Sequence, residues 1–177
     1  MEIDEITLEY RIRSTLLKYL HGIDRADHNL RLSAFAPNGK MFIDGVQVIG
    51  PGAVVRTSNN PPAPGLPPRE NIIAMSHHLH QADIRTFDTH YAVESNNTSY
   101  LVVKEGDQQY MLIRGVRYHD SMSNYSGQLL INERQHHIDW MFRAPEDFKI
   151  PTSSRHSFDD FVSRVQSSLS GQDDYPH

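Results

Sequence analysis

The sequence predicts an α+β fold in which helices pack on one face of a single antiparallel sheet. The 177 residues are enough for one hydrophobic core and too few for two ordinary domains. Helix-like segments come before and after a central run of long strand-like segments, and short turns separate those strands. Short turns between long neighbouring strands are typical of an antiparallel meander, so the helices and the sheet form separate parts of the domain.

The first two predicted helices cover residues 4–22 and 27–35. In the first, apolar residues recur at the spacing of one helix face: Ile6, Tyr10, Leu16, Leu17 and Leu20. Asp4 is a suitable N-cap for this helix, and Gly22 is a suitable stop. Asp27 is the expected cap of the second helix.

The next segment predicts a turn, two short strands, a helix and a long loop. Residues 36–39 (Ala-Pro-Asn-Gly) are typical of a turn, and residues 40–44 and 46–49 are typical of short strands. A short helix is expected from Gly50 to about residue 58. Residues 59–70 hold five of the ten prolines, which predicts a loop because proline interrupts helices and central strands. Such a loop is a lid, a binding loop or a flexible surface insertion.

Four long strands and a final helix complete the prediction. The strands are expected over residues 71–87, 90–104, 108–121 and 127–141, with turn-forming residues between them. An amphipathic helix is expected over residues 156–170. The predicted domain therefore covers residues 1–145, and residues 146–177 form a C-terminal extension packed on the same domain.

Composition and charge exclude several classes of function. A net charge of −5 argues against nucleic-acid binding, which needs a clustered basic surface. The absence of cysteine excludes disulfides, thiolate nucleophiles and cysteine-ligated metal sites. No apolar run is long enough for a membrane span, and the acidic N-terminus has no signal-peptide core, so a cytoplasmic location is expected. No phosphate-binding or dinucleotide-binding motif is present, and no cofactor is predicted.

An ordered series of short motifs resembles the SnoaL-like family of the nuclear-transport-factor-2-like superfamily. Residues 16–27 (LLKYLHGIDRAD) resemble its first helix end, where a tyrosine precedes an aspartate by five positions. Residues 32–39 resemble its second helix and turn, Ser76–Leu79 its paired-histidine strand start, and residues 115–140 its last two strands. The resemblance covers about residues 5–143, and none of its motifs is specific when taken alone.

Two positions depart from the family pattern. Leu129 stands where the family usually has an aromatic residue, and His80-Gln81 stands where it tends to have Gly-Asn. The resemblance implies a cone, a strongly curved antiparallel sheet with helices packed on its concave side around a deep pocket. Members of the superfamily include dehydratases, a dehydrochlorinase, polyketide cyclases and a ketosteroid isomerase, and some members only bind partners or ligands. Fold alone therefore does not settle function.

The resemblance also implies a set of catalytic and substrate-binding residues. In the dehydratase and dehydrochlorinase members, an aspartate after the first helix pairs with a histidine at the start of a long strand, which corresponds to Asp24 and His77. A carboxylate that accepts one ring N–H fixes the tautomer and makes the other nitrogen a general base. Tyr19 is the corresponding phenol and Arg134 the corresponding pocket arginine.

Tyr118 and His78 complete the candidate substrate-binding set. Adjacent strand residues point to opposite faces, so only one of His77 and His78 can enter the pocket, and the family spacing favours His77. Tyr118 alternates in register with Asp120 on one strand face, where an outer-face hydrogen-bonding role is equally open.

A metal site is an alternative interpretation of the histidines. The chain holds eleven of them, and five from the expected strands are candidate ligands: His77, His78, His80, His136 and His137. Imidazole is a common metal ligand. The sequence contains neither an HExxH motif nor a cupin-type arrangement, so no metal is predicted.

The resulting hypothesis is a cofactor-independent acid–base enzyme that acts on a small hydrophobic molecule, polycyclic or aromatic, such as a polyketide or steroid-like compound. A dehydratase-type lyase is the leading prediction, with an isomerase or cyclase using the same residues as the alternative. A non-catalytic ligand-binding or partner-binding module of the same fold also remains open. We expect a small-molecule substrate, no nucleic acid or membrane partner, and a homodimer or homotrimer assembled through the sheet face.

Overall fold

The computed structural model describes residues 4–43, 45–51 and 67–144. The helices and strands of these residues are α1 (Glu5–Asp24), α2 (His28–Leu32), β1 (Phe35–Ile43), β2 (Val46–Ile49), β3 (Ile72–Phe87), β4 (His90–Glu105), β5 (Gln108–Tyr125) and β6 (Gln128–Arg143), with a short 3-10 turn at Arg69–Asn71. The predicted helices at residues 50–58 and 156–170, and most of the proline-rich loop, lie outside the described residues. None of the described helices is long and apolar enough to cross a membrane.

The six strands form one curved sheet that does not close, which confirms the predicted fold class. The strand order is β2-β1-β6-β5-β4-β3. The four long strands form the predicted antiparallel meander, whereas β1 runs parallel to β6. Irregularities in the register, such as the shifts after Leu79 and Gly115, bend the long strands. The strands β2 and β3 are the two edges of the sheet.

Helix α1 continues past its predicted stop at Gly22 and ends at Asp24. Asp4 caps its start, as predicted, by accepting a hydrogen bond from the Thr7 backbone N–H at 2.9 Å. Gly22 serves a different purpose from the predicted one, since a Cβ there would lie 2.6 Å from the Arg31 Cα of α2. The glycine therefore allows two helices to approach closely, and the chain turns only at Ala26, where φ is 54°.

The segment after α2 joins the sheet earlier than predicted. Asp27 caps α2 by accepting from the Leu30 N–H at 2.9 Å, but α2 ends at Leu32 and β1 begins at Phe35. The predicted turn over residues 36–39 is thus wrong. Its residues lie in β1, in the stretch where the pairing with β6 is irregular, so the missing N–H of proline breaks no regular ladder bond there.

The strand β5 is longer than predicted because the following turn is tighter. Ser126 and Gly127 have φ angles of 50° and 88°. Two central residues with positive φ are typical of the two-residue hairpin turn that matches the twist of the sheet. The strands therefore pair up to Tyr125 and Gln128, where the sequence predicted a looser turn.

The inner face of the sheet carries buried polar residues between two apolar clusters. One cluster lies under α1 and includes Leu16, Leu20 and Ile131, and a second one lies further along the strands around Leu101 and Leu112. Between and beside them is a set of buried polar residues that we call the polar band: Ser95, Asn97, Ser99, Arg114, Asp120, Arg134 and His136. Polar groups are buried only where something compensates them, so this band identifies the region to search for a site.

Candidate active site

His77 and Asp24 are joined by two hydrogen bonds. The His77 ring Nδ1–H donates to Asp24 Oδ1 at 2.6 Å, and the His77 backbone N–H donates to Asp24 Oδ2 at 3.0 Å. The His77 side chain is 4% exposed. Because an ionised carboxylate can only accept, this geometry places a ring proton on Nδ1, and in the neutral imidazole the lone pair is then on Nε2. A neutral imidazole held in this way can accept a proton at Nε2.

Two different elements bring these residues together. Asp24 is the last residue of α1, and His77 lies six residues into the edge strand β3. A further bond ties the helix to the same edge, since Arg13 Nη1 donates to the His80 backbone carbonyl at 3.0 Å. The extension of α1 beyond Gly22 is what carries the carboxylate to the strand.

His78 lies on the opposite face of β3 from His77, because successive side chains of a strand alternate. Its Nε2 is 3.1 Å from the Ser76 hydroxyl, and its ring packs edge-on against Tyr100. The structure therefore does not bring His78 to the His77–Asp24 pair.

Arg134 is fully buried on β6 and clamped by Asp120 of β5. Its Nε and Nη2 donate to the two Asp120 oxygens at 2.7 Å each, and both side chains are 0% exposed. Its Nη1 has no hydrogen-bond partner among the described residues. Asp120 raises the pKa of Arg134 against the opposing effect of burial, so the arginine stays charged.

Tyr19 and Tyr118 hold this arginine between their rings. The guanidinium carbon lies 4.3 Å from the Tyr19 ring centre and 4.1 Å from the Tyr118 ring centre. The Tyr19 hydroxyl donates to the Met41 sulfur at 3.1 Å rather than to the His77–Asp24 pair. Burial raises the pKa of both phenols, so each keeps its proton. The predicted residues Tyr19, Tyr118 and Arg134 thus form one cluster, and His77 and Asp24 form another.

Arg114 connects the polar band to His77 and was missed by the sequence analysis. His77 of β3 pairs with Ser99 of β4, which pairs in turn with Arg114 of β5. Residues directly opposite each other on paired strands point to the same face. Arg114 Nε donates to the Ser99 hydroxyl at 3.0 Å, so the arginine leans over β4 in the direction of β3. Its even spacing from Tyr118 on one strand is the sequence signal that could have revealed it.

His136 stands next to Tyr118 and remains neutral. Burial, together with the positive charges of Arg114 and Arg134, lowers its pKa from the ordinary value of 6.5 to about 3. The ring packs against Tyr118 at 5.3 Å between centres, and its Nδ1 has no partner among the described residues. The histidine therefore offers a neutral polar group to the interior of the cone.

Within the described ranges, no three histidine or carboxylate side chains are grouped as a metal ion would require. His136 is buried on the inner face, whereas His80 and His137 are exposed. His80 bonds the Thr98 hydroxyl at 2.8 Å, and the His137 ring packs against His119. The five histidines considered for a metal site are thus divided between the two faces of the sheet.

Solved structures share this architecture at low sequence identity. A hexachlorocyclohexane dehydrochlorinase (LinA type 2) superposes with a TM-score of 0.67 at 13% identity, over 84% of this chain and 97% of the other. The LinA-type3 dehydrochlorinase from Novosphingobium barchaimii gives a TM-score of 0.65 at 11% identity, over 82% and 96%. ActVI-ORFA from Streptomyces coelicolor gives 0.52 at 13% identity, over 75% and 97%.

These likenesses establish the cone fold. No curated protein matches the chain significantly by sequence. The family model of the SnoaL-like domain, however, matches residues 4–135, which include both α1 and most of the sheet. With three quarters of its length matched in this way, the chain belongs to the SnoaL-like domain family.

Proposed function

We propose that the chain is an acid–base enzyme in which His77 removes a proton from a small hydrophobic substrate. The observation that carries this proposal is the use of both Asp24 oxygens by one histidine, through its ring and its backbone. A surface histidine needs no such support. A buried ring with a fixed tautomer is what a general base requires.

Proton transfer from carbon is the first step of the proposed reaction. The lone pair on His77 Nε2 takes a proton from a carbon next to a carbonyl or next to a carbon that bears a leaving group. The electron pair of the broken C–H bond then forms an enolate or a new double bond. The imidazolium that results is stabilised by the Asp24 carboxylate, which lies 2.6 Å from Nδ1.

Elimination of water is the leading outcome, and isomerisation or cyclisation are the alternatives that share the first step. In elimination, the C–O bond breaks as the double bond forms, and the hydroxide leaves as water after it takes the proton back from the imidazolium. The fold is shared with dehydrochlorinases, whose name describes an elimination. In isomerisation, the imidazolium returns the proton to a different carbon instead.

The second cluster supplies groups that suit a polar part of the substrate. Arg134 Nη1 is buried and has no partner among the described residues, and the Tyr118 hydroxyl lies in the same cluster on the inner face. We assign Arg134 and Tyr118 to substrate binding, and Tyr19 to support of Arg134 through ring stacking, with its hydroxyl as a candidate acid. The apolar clusters on either side suit a substrate with a largely hydrophobic body.

Proton exchange tests the proposal without knowledge of the natural substrate. Bicyclic β-hydroxyketones and β-chloroketones would be incubated with the protein in D₂O, and loss of the acidic C–H would be followed by NMR. We expect at least one compound to exchange or eliminate, and His77→Gln to lower the rate about 10²–10⁴-fold. His78→Gln is the matched control, since the neighbouring ring lies on the opposite face, and it should leave the rate unchanged.

The same experiment separates the enzyme from a binding module. Exchange that persists in His77→Gln would exclude His77 as the base. Ketones that bind the wild-type protein, but neither exchange nor eliminate, would favour a ligand-binding module of the same fold and overturn the proposal.

Assembly through the sheet is the last part of the proposal. Trp140 and Phe142 lie on the outer face of β6 and are 53% and 54% exposed. Apolar side chains so close together on a sheet face suit an interface between copies of the chain. Light scattering should therefore give a dimer or trimer mass, and Phe142→Glu should shift it to that of the monomer.

A further inference from the structure

The charge of Arg114 is the most unusual feature of the inner face. The residue is 6% exposed, and its one hydrogen bond among the described residues is the donation from Nε to Ser99. No carboxylate of the described ranges pairs with it, whereas Asp120 neutralises Arg134 with two bonds. Burial lowers the pKa of Arg114. A buried, unpaired charge costs several kcal/mol unless an anion compensates it.

Asn97 is a second, independent sign of a ligand. It is 2% exposed, and neither its amide nitrogen nor its amide oxygen has a hydrogen-bond partner among the described residues. The large majority of buried side-chain polar atoms in proteins have a partner. Asn97 shares the inner face of β4 with Ser99, two residues away, and it pairs with Val116 and Leu79 on the neighbouring strands. It is therefore diagonal to both Arg114 and His77.

The distance between Arg114 and His77 limits the size of a substrate that could contact both residues. His77, Ser99 and Arg114 occupy the same row across three strands. Neighbouring strands are about 4.8 Å apart, so the Cα atoms of His77 and Arg114 are roughly 10 Å apart. The lean of Arg114 over Ser99 shortens that gap. A substrate group bound by Arg114 is thus separated from the His77 ring by about the width of one or two six-membered rings.

We propose that Arg114 and Asn97 bind a carboxylate carried by the substrate, in a position that presents the acidic carbon of that substrate to His77. The Arg114 Nη groups and the Asn97 amide nitrogen donate to the carboxylate oxygens. A neutral carbonyl would leave the arginine charge uncompensated, and a phosphate would bring more charge than one cation neutralises. This inference rests on the proposed function and names its substrate class, a hydrophobic ring system that bears a carboxylate.

Binding of two matched probes tests the carboxylate site. Titration calorimetry near pH 7 would compare 2-naphthoate with 2-naphthamide, which has nearly the same shape and no charge. We expect the wild-type protein to prefer naphthoate about 10–100-fold, the usual value of a hydrogen-bonded charge pair. Arg114→Met should abolish the preference, and Arg114→Lys should retain part of it. Arg117→Met is the control, because Arg117 lies on the outer face of the same strand and pairs with Asp139.

Thermal unfolding gives a readout that distinguishes a binding residue from a structural one. Arg114→Met and Asn97→Leu each remove a poorly compensated polar group, so neither should lower the melting temperature. Naphthoate should raise the melting temperature of the wild-type protein and leave that of Arg114→Met unchanged. A large drop in the melting temperature of Arg114→Met would assign the arginine a structural role and overturn the proposal.

Failure of this inference can be told apart from failure of the proposed function. Equal affinity for naphthoate and naphthamide in a protein that exchanges carbon-bound protons would overturn the carboxylate site and leave His77 as the base. A naphthoate preference that depends on Arg114, in a protein that exchanges no proton, would support the carboxylate site and overturn the catalysis.

Discussion

Asp24→Asn is the substitution that tests the His77–Asp24 pair most directly. It keeps the shape of the side chain but replaces one of two acceptor oxygens with an NH₂ group. Both oxygens accept from His77 in the structure, at 2.6 Å and 3.0 Å. If the amide oxygen keeps the backbone N–H, the NH₂ group faces Nδ1. The ring proton then moves to Nε2, and the base loses its lone pair.

The expected losses follow from these two bonds. The wrong tautomer should lower the proton-exchange rate about 10²–10⁴-fold. Loss of one charge-assisted hydrogen bond and weakening of the other should lower the free energy of unfolding by about 1–2 kcal/mol, the low end of the usual range. The low end applies because the Asp24 side chain is 21% exposed and water replaces part of the interaction. The melting temperature should fall by about 2–4 °C per kcal/mol.

The assay combines proton exchange followed by NMR with thermal unfolding of the same preparations. Asp139→Asn is the matched control, since that carboxylate pairs with Arg117 on the outer face and should not affect exchange. A folded Asp24→Asn protein that exchanges protons at the wild-type rate would refute the role assigned to Asp24.

The remaining predictions concern stability. Gly22→Ala should lower the free energy of unfolding by about 1–3 kcal/mol in chemical denaturation, because its Cβ would lie 2.6 Å from the Arg31 backbone. Gly115→Ala should cost about 0.5 kcal/mol or less, because the three atoms nearest its Cβ all belong to the exposed Trp140 side chain, which can turn away. Equal costs would contradict this distinction. The free energy of unfolding should also decrease as the pH is lowered from about 6.5 to 3, since in this range His136 takes up a proton in the unfolded chain and not in the folded one. The slope of the free energy of unfolding against pH should approach about 1.4 kcal/mol per pH unit, and His136→Gln should reduce this slope.

Local patterns were sufficient to predict most of the sheet. Strand periodicity and turn residues placed the four long strands, and Asp88 and Gly106 have the positive φ angles that tight turns require. The pairing of Asp24 with His77 was expected only through the family resemblance, because 52 residues separate them and no local pattern relates them. Their hydrogen bonds are now described, and their catalytic role stays a prediction.

Long-range features could not be predicted in the same way. The parallel pairing of β1 with β6 joins segments far apart in sequence, and β1 carries no signal of its partner. Gly22 looked like a helix stop because its contact with Arg31 belongs to another helix. Arg114 was overlooked for a different reason. An arginine on a strand is normally exposed. The pairing of Arg114 with the buried Ser99, which places it on the inner face, is visible only in the structure.

His77, the proposed base, lies on an edge strand of the sheet, and this has a practical consequence. An uncovered edge strand exposes unpaired backbone N–H and C=O groups, which can pair with a strand of another chain and start aggregation. Here the His77 N–H donates to Asp24 and the His80 carbonyl accepts from Arg13, so α1 covers this part of the edge of β3. Asp24, which holds the His77 ring, therefore also protects the edge of β3 from unwanted pairing with another strand. Asp24 variants that lack activity should be tested for aggregation before the loss is attributed to catalysis.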